Sequence, residues 1–139
     1  MLEILISIAV IAVVVIIIAS ALAAFRRSAD LASAVDGVSA QLREARRRTI
    51  ESKDASRWGV HVESSRTTLF KGATYLPGAA DNEVSGLTST VTIAGLTDIV
   101  FKRISGDTDN SGTLTITSTQ DTSKTKTIII RSSGLIEVP

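Results

Sequence analysis

Between Ile4 and Phe25 the chain carries no charged residue, no glycine and no proline. As a helix, these roughly 22 residues rise about 33 Å, enough to cross the hydrocarbon of a bilayer. β-Branched Ile and Val dominate Val13 to Ile18, which lowers helicity in water, whereas lipid forces internal backbone hydrogen bonding and so favours the helix. The rest of the 139 residues leaves roughly 90 after the helical region, the size of one small domain on a stalk.

One acid stands at the mouth of this run. Glu3 is the sole charge ahead of Arg26, and a carboxylate entering hydrocarbon on a helix costs about 2.5 to 3.5 kcal/mol, which makes it a functional residue by default. It needs a partner, and none lies nearby in sequence.

Three readings of the run compete. A secretory signal would use Ala21-Leu22-Ala23 as a small-x-small cleavage site, but it wants Lys or Arg where Glu3 stands, and an apolar core of only about 7 to 15 residues. A plain single-pass anchor would take Arg26 and Arg27 as its cytoplasmic flank and put the domain inside the cell. Two arginines at a helix end also snorkel or face a neighbouring subunit. The third reading rests on MLEILISIAVIAVVVIIIASALAA, which resembles the N-terminal helix of mature type IV pilins and type II secretion pseudopilins.

That resemblance implies that Glu3 faces the free N-terminal amine of an adjacent subunit, making Met1 and Glu3 the assembly contact. The family carries its Glu two residues deeper, after an N-methylated Phe, so either two residues precede Met1 in the mature chain, which is the expectation, or the protein is shortened at this end. It also implies a homo-oligomeric helical filament, membrane residence before assembly, and processing by prepilin peptidase and the pilus assembly machinery. The location is then the inner membrane, followed by the cell surface. No cofactor and no enzymatic activity are implied.

After the arginines, Leu31, Val35, Val38, Leu42 and Ala45 recur at spacings of four and three, one stripe of a helix with a polar opposite face. Gly37 within the stripe costs about 1 kcal/mol relative to Ala and marks the expected flexible point. The helix is expected to run to about Lys53. The chain thus divides into an apolar helix 1–27, its amphipathic continuation 28–54 and a β-rich domain 55–139.

From Arg57 the text is β-rich. Trp58 to Val62 and Thr67 to Lys71 read as a hairpin, followed by strands at Thr88 to Ala94, Thr97 to Ile104, Gly112 to Ser118, Lys126 to Arg131 and Leu135 to Val138, with Ala73 to Gly86 as the long loop. The fold class is α+β, with a long N-terminal helix packed against an antiparallel sheet domain. WGVHVESSRTTLFKGATY, DIVFKRISGDTDNSGTLTIT and TIIIRSSGLIEV, in this order, resemble the domain of minor pseudopilins and related minor type IV pilins.

Chemical sites are few. Arg43, Arg46, Arg47 and Arg48 form the strongest basic cluster, either a phosphate-binding patch for DNA or a solvated helix face paired with Glu44, Glu51 and Asp54. Asp107, Asp109 and Ser111, with Gly112 following, look like the opening of a calcium loop, but the twelfth position is Ser118 rather than Glu, so a polar hairpin tip explains them too. His61, the one histidine, falls in an expected strand with no nucleophile pattern around it. Cysteine is absent and the net charge is +1, which removes disulfide frameworks and thiolate metal sites and gives no overall pull toward nucleic acid. The sequence therefore points to a structural subunit of a type IV pilus-like filament. The alternatives are a minor pseudopilin of a type II secretion system and a DNA-binding surface pilin.

Overall fold

The computed structural model describes residues 2–51 and 55–139. One helix, α1, runs unbroken over Leu2–Ile50, about 73 Å at the usual rise per residue. Its expected extension to Lys53, and the boundary at 54, lie outside the described residues, as does Met1. Eight strands follow: β1 Trp58–Val62, β2 Arg66–Lys71, β3 Glu83–Gly86, β4 Val91–Gly95, β5 Asp98–Val100, β6 Gly112–Ser118, β7 Thr125–Ile130 and β8 Ile136–Glu137. The architecture is α+β, as the patterning anticipates.

The strands form two antiparallel four-stranded sheets rather than one, ordered β3-β2-β1-β5 and β4-β6-β7-β8. The helix touches strands of both. Its buried side chains are Leu31, Val35, Val38, Leu42 and Ala45, the expected stripe, with Ala34, Ser39 and Thr49 beside it. Val60 and Ile99 from one sheet and Leu114, Ile116 and Ile128 from the other meet that stripe in a single core. Alternation does the sorting: in β6, Leu114, Ile116 and Ser118 are buried, while the threonines between them are not.

Polar clasps fix the helix against this core. The Trp58 N–H donates to Thr49 Oγ1 at 2.9 Å, and that hydroxyl donates to Ala45 O at 2.8 Å. The Thr67 hydroxyl donates to Gln41 Oε1. At the turn between β1 and β2, Ser64 O accepts from Ile93 N at 3.0 Å, linking the two sheets.

Several expectations need correction. Residues 83–86, assigned to the long loop, form β3, whose side chains are all exposed; a strand buried on neither face carries no hydrophobic alternation to read. Thr88 to Ala94 begins as a turn, and the strand starts at Val91. The single strand expected over Thr97 to Ile104 ends at Val100, because Phe101 bridges Thr108 and Ile104 turns to φ 72°, a left-handed conformation that breaks extended chain. The expected hairpin around Asp107 is instead a crossover: β5 sits at the edge of the first sheet beside β1, and β6 lies in the second.

Leu42 is fully buried at the middle of the helix–sheet contact. Leu42→Ala should destabilise the domain by about 3 kcal/mol, measured on the full chain in detergent as a lower urea midpoint of Trp58 fluorescence. An unchanged midpoint would place the core elsewhere.

Candidate functional site

Among the described residues, α1 is exposed on every side from Leu2 to Ala23. Fifteen large apolar side chains between Leu2 and Phe25 are 47 to 74% exposed, far beyond the few hundred Å² of contiguous apolar surface that a soluble monomer carries. The helix is long and apolar enough to cross a membrane. The two serines of the apolar run are satisfied internally, Ser7 Oγ donating to Glu3 O at 2.9 Å and Ser20 Oγ to Ile17 O at 2.8 Å, which suits a medium without water. Glu3 lies in the first turn, where the helix dipole favours a negative charge.

At the other end of the helix the four arginines separate into different tasks. Arg46 Nε donates to Gly106 O and Nη2 to Ser133 O, both at 3.3 Å. It thereby ties the helix to two loops whose backbones meet so closely that a Cβ at Gly134, held at φ +72°, would collide with the Gly106 carbonyl. Arg47 bonds Glu44 at 2.7 Å and Glu51 at 2.8 Å. Arg48 bonds Glu44 at 2.6 Å and Glu83 of β3 at 2.5 Å, with its guanidinium carbon 4.8 Å from the centre of the Trp58 ring. Arg43 is exposed and, with Arg46, Arg47, Ile50 and Leu135, lines an open groove of about 390 Å³.

The Asp107 segment is tied into the crossover. Lys102 Nζ bonds Asp109 Oδ1 at 2.5 Å, Lys102 N donates to Asp107 O at 2.7 Å, and Asn110 Nδ2 donates to Asp98 O at 2.7 Å. Ser111 is exposed. Among the described residues no group of three His, Cys, Asp or Glu side chains is placed to hold a metal.

This helix-on-two-sheets arrangement recurs in solved structures. The type IV minor pilin FimU of Pseudomonas aeruginosa, in two crystal forms, aligns with TM-scores of 0.62 and 0.66 at 15% identity, covering 78 and 83% of this chain and 92% of FimU in each case. The minor pseudopilin EpsH from the type 2 secretion system of Vibrio cholerae aligns at 0.60 and 13% identity, covering 79% of this chain and 96% of EpsH. The chain has the type IV pilin fold. No protein-family model and no curated protein sequence matches it.

Within this pilin fold, a second cluster on the outer face of the first sheet is one that sequence reasoning missed. Register pairs Gly59 with Phe70 and His61 with Thr68, so all four share a face. The Phe70 ring lies over Gly59, where a Cβ would come within 2.8 Å of it. Tyr75, from the loop after β2, stacks on His61 at 3.9 Å and meets Phe70 edge-on at 5.6 Å. His61 Nδ1 bonds Asp98 Oδ1 at 2.7 Å. His61 lies in the strand expected for it, β1, with its ring nitrogen paired. Tyr75 and Asp98 come from 14 and 37 positions away, where no local signal announces them, while Glu63, two residues on, lies 3.7 Å from Nε2.

Hydrogen bonds from Arg47 and then Arg48 hold the Glu44 carboxyl at a pKa of about 2, below its ordinary 4.5. A depressed carboxylate stabilises the fold above its unfolded pKa, and that contribution fades as pH falls from about 5 toward 2. Because the pair is partly exposed, its worth is about 1 kcal/mol. Glu44→Gln should therefore lower stability by about that amount at pH 7 and flatten the acid limb of a stability–pH profile; equal profiles for the two proteins would remove Glu44 from the ledger.

Proposed function

We propose that this chain is a structural subunit of a type IV pilus-like filament, held in the membrane by its apolar helix before assembly and in the filament by the same helix afterwards. The observation that carries the reading is the exposed apolar half of α1, continuous with a second half that is the core of a folded domain. At about 2 kcal/mol per large side chain, removing these groups from water is worth on the order of 30 kcal/mol. A bundle of identical helices can accept that surface as lipid does, so transfer from one to the other is not prohibitive.

Glu3 supplies direction in this scheme. Its carboxylate meets the N-terminal amine of a neighbour, and moving the two charges together is far cheaper than stranding either one. Residues 1–27 then serve as membrane and filament-core helix, 28–54 as the amphipathic stem, and 55–139 as the surface domain. Prepilin peptidase and pilus assembly machinery are the expected partners, with a surface filament as the end point.

The likeness to FimU and EpsH supports a pilin-like role. EpsH favours, as a second reading, a minor pseudopilin within a type II secretion system. Binding DNA through Arg43 to Arg48 is less favoured, because Arg47 and Arg48 are bonded to Glu44, Glu51 and Glu83.

Glu3→Ala should abolish or slow filament growth, counted by electron microscopy, while Trp58 fluorescence reports an intact domain; wild-type filament yield from this variant would sink the proposal. DNA mobility shifts with the full chain in detergent should give no tight, steeply salt-dependent complex, whereas such a complex would promote the DNA-binding reading.

A further inference from the structure

We infer that the lower rim of the domain, where β6 turns into β7, rests on the bilayer surface, with Arg26, Arg27 and Lys124 contacting the phosphates of anionic lipid headgroups. The inference builds on membrane insertion of the apolar helix proposed above. It concerns what the domain itself does at that stage.

The geometry is set by where covering of the helix begins. Ala24 and Arg27 are half-buried, and Leu31 is 5% exposed, so the domain comes down almost to the end of the apolar run. Lys124 Nζ reaches Ser28 Oγ at 3.5 Å, which puts the turn at the level of residue 28. With Glu3 at the far interface, about 20 residues cross the roughly 30 Å of hydrocarbon and bring Ala23 to the near boundary. Residues 24–28 then occupy the next 6 Å or so, about the thickness of the headgroup layer.

The chemistry matches that depth. Residues 119–124 are Thr, Gln, Asp, Thr, Ser and Lys, which have no apolar side chain to insert but abundant hydrogen-bonding capacity. Arg27 folds back toward the apolar segment, its Nε donating to Ala23 O at 3.1 Å, so the guanidinium lies on the bilayer side of its own Cα. The acids on the rim are already engaged: Asp30 accepts the Thr90 hydroxyl at 2.9 Å and Asp121 the Ser123 hydroxyl at 2.6 Å. Ser123, and after it the charges of Lys124 and Arg27, hold Asp121 below the usual carboxylate range. Three cations beside two acids leave a rim of net positive charge facing the headgroups.

The chain has no cysteine, so a single fluorophore can be attached to the full chain at Thr122→Cys on the rim, Ser105→Cys at the far end of the domain, or Val14→Cys within the helix. Each protein is reconstituted in phosphatidylcholine vesicles with or without phosphatidylglycerol, and quenched by lipids spin-labelled on the headgroup or the acyl chain. Headgroup quenching at Thr122 should exceed that at Ser105 several-fold and rise further with phosphatidylglycerol. Neutralising the rim with Arg26→Gln, Arg27→Gln and Lys124→Gln should remove that rise. Quenching at Thr122 no greater than at Ser105, or a phosphatidylglycerol effect that survives neutralisation, overturns the inference. Acyl-chain quenching at Val14 distinguishes the two failures: if Val14 is quenched and Thr122 is not, insertion stands and only the headgroup contact falls. If Val14 is not quenched, both fall.

Discussion

The packing of Val38, Leu42 and Ala45 against strands from both sheets is the contact on which the rest of the structure depends. The sheets form separate ladders, and each buries one face on the same helical stripe. Loss of that stripe would expose two apolar sheet faces at once. Because α1 continues from the stripe into the apolar run without a break, the rod and the stem of the domain are one helix.

The same helix end organises the polar surface. Arg46 binds two loop carbonyls, Arg47 binds Glu44 on its own helix and Glu51 just past its end, and Arg48 spans from Glu44 to Glu83 over the Trp58 ring. A basic cluster that reads as an electrostatic patch is largely a set of cross-links, and it secures β3, an edge strand with no buried side chain of its own. The arginines hold by geometry what the hydrophobic core does not reach.

What was legible in the sequence follows the physics of each signal. The stripe from Leu31 to Ala45 was readable because only a helix buries spacings of four and three on one side. Strands β1 and β6 were readable to the residue because apolar alternation and bounding turn residues agree there. Alternation says which side chains point inward and nothing of which strand lies alongside, so the division into two sheets and the crossover between β5 and β6 were hidden. The short edge strand β3 was hidden for want of a buried face. Glu44 and Glu51 were foreseeable arginine partners at helical spacing, whereas Glu83 and the His61–Tyr75 stack depend on tertiary folding. For Glu3 the sequence marked the residue through its cost in hydrocarbon; the proposed partner belongs to another molecule, and one chain cannot display it.

The unbroken course of α1 also makes it a shaft with a fixed phase. Each residue advances the helix by about 100°, so the compass direction in which Glu3 points is set by the face that Leu42 turns toward the sheets. Inserting or deleting one residue between Phe25 and Leu31 would leave both ends chemically intact yet swing them about 100° out of alignment. In any assembly that reads the rod and the domain together, the residues between them would thus be constrained in number even where their identity is free.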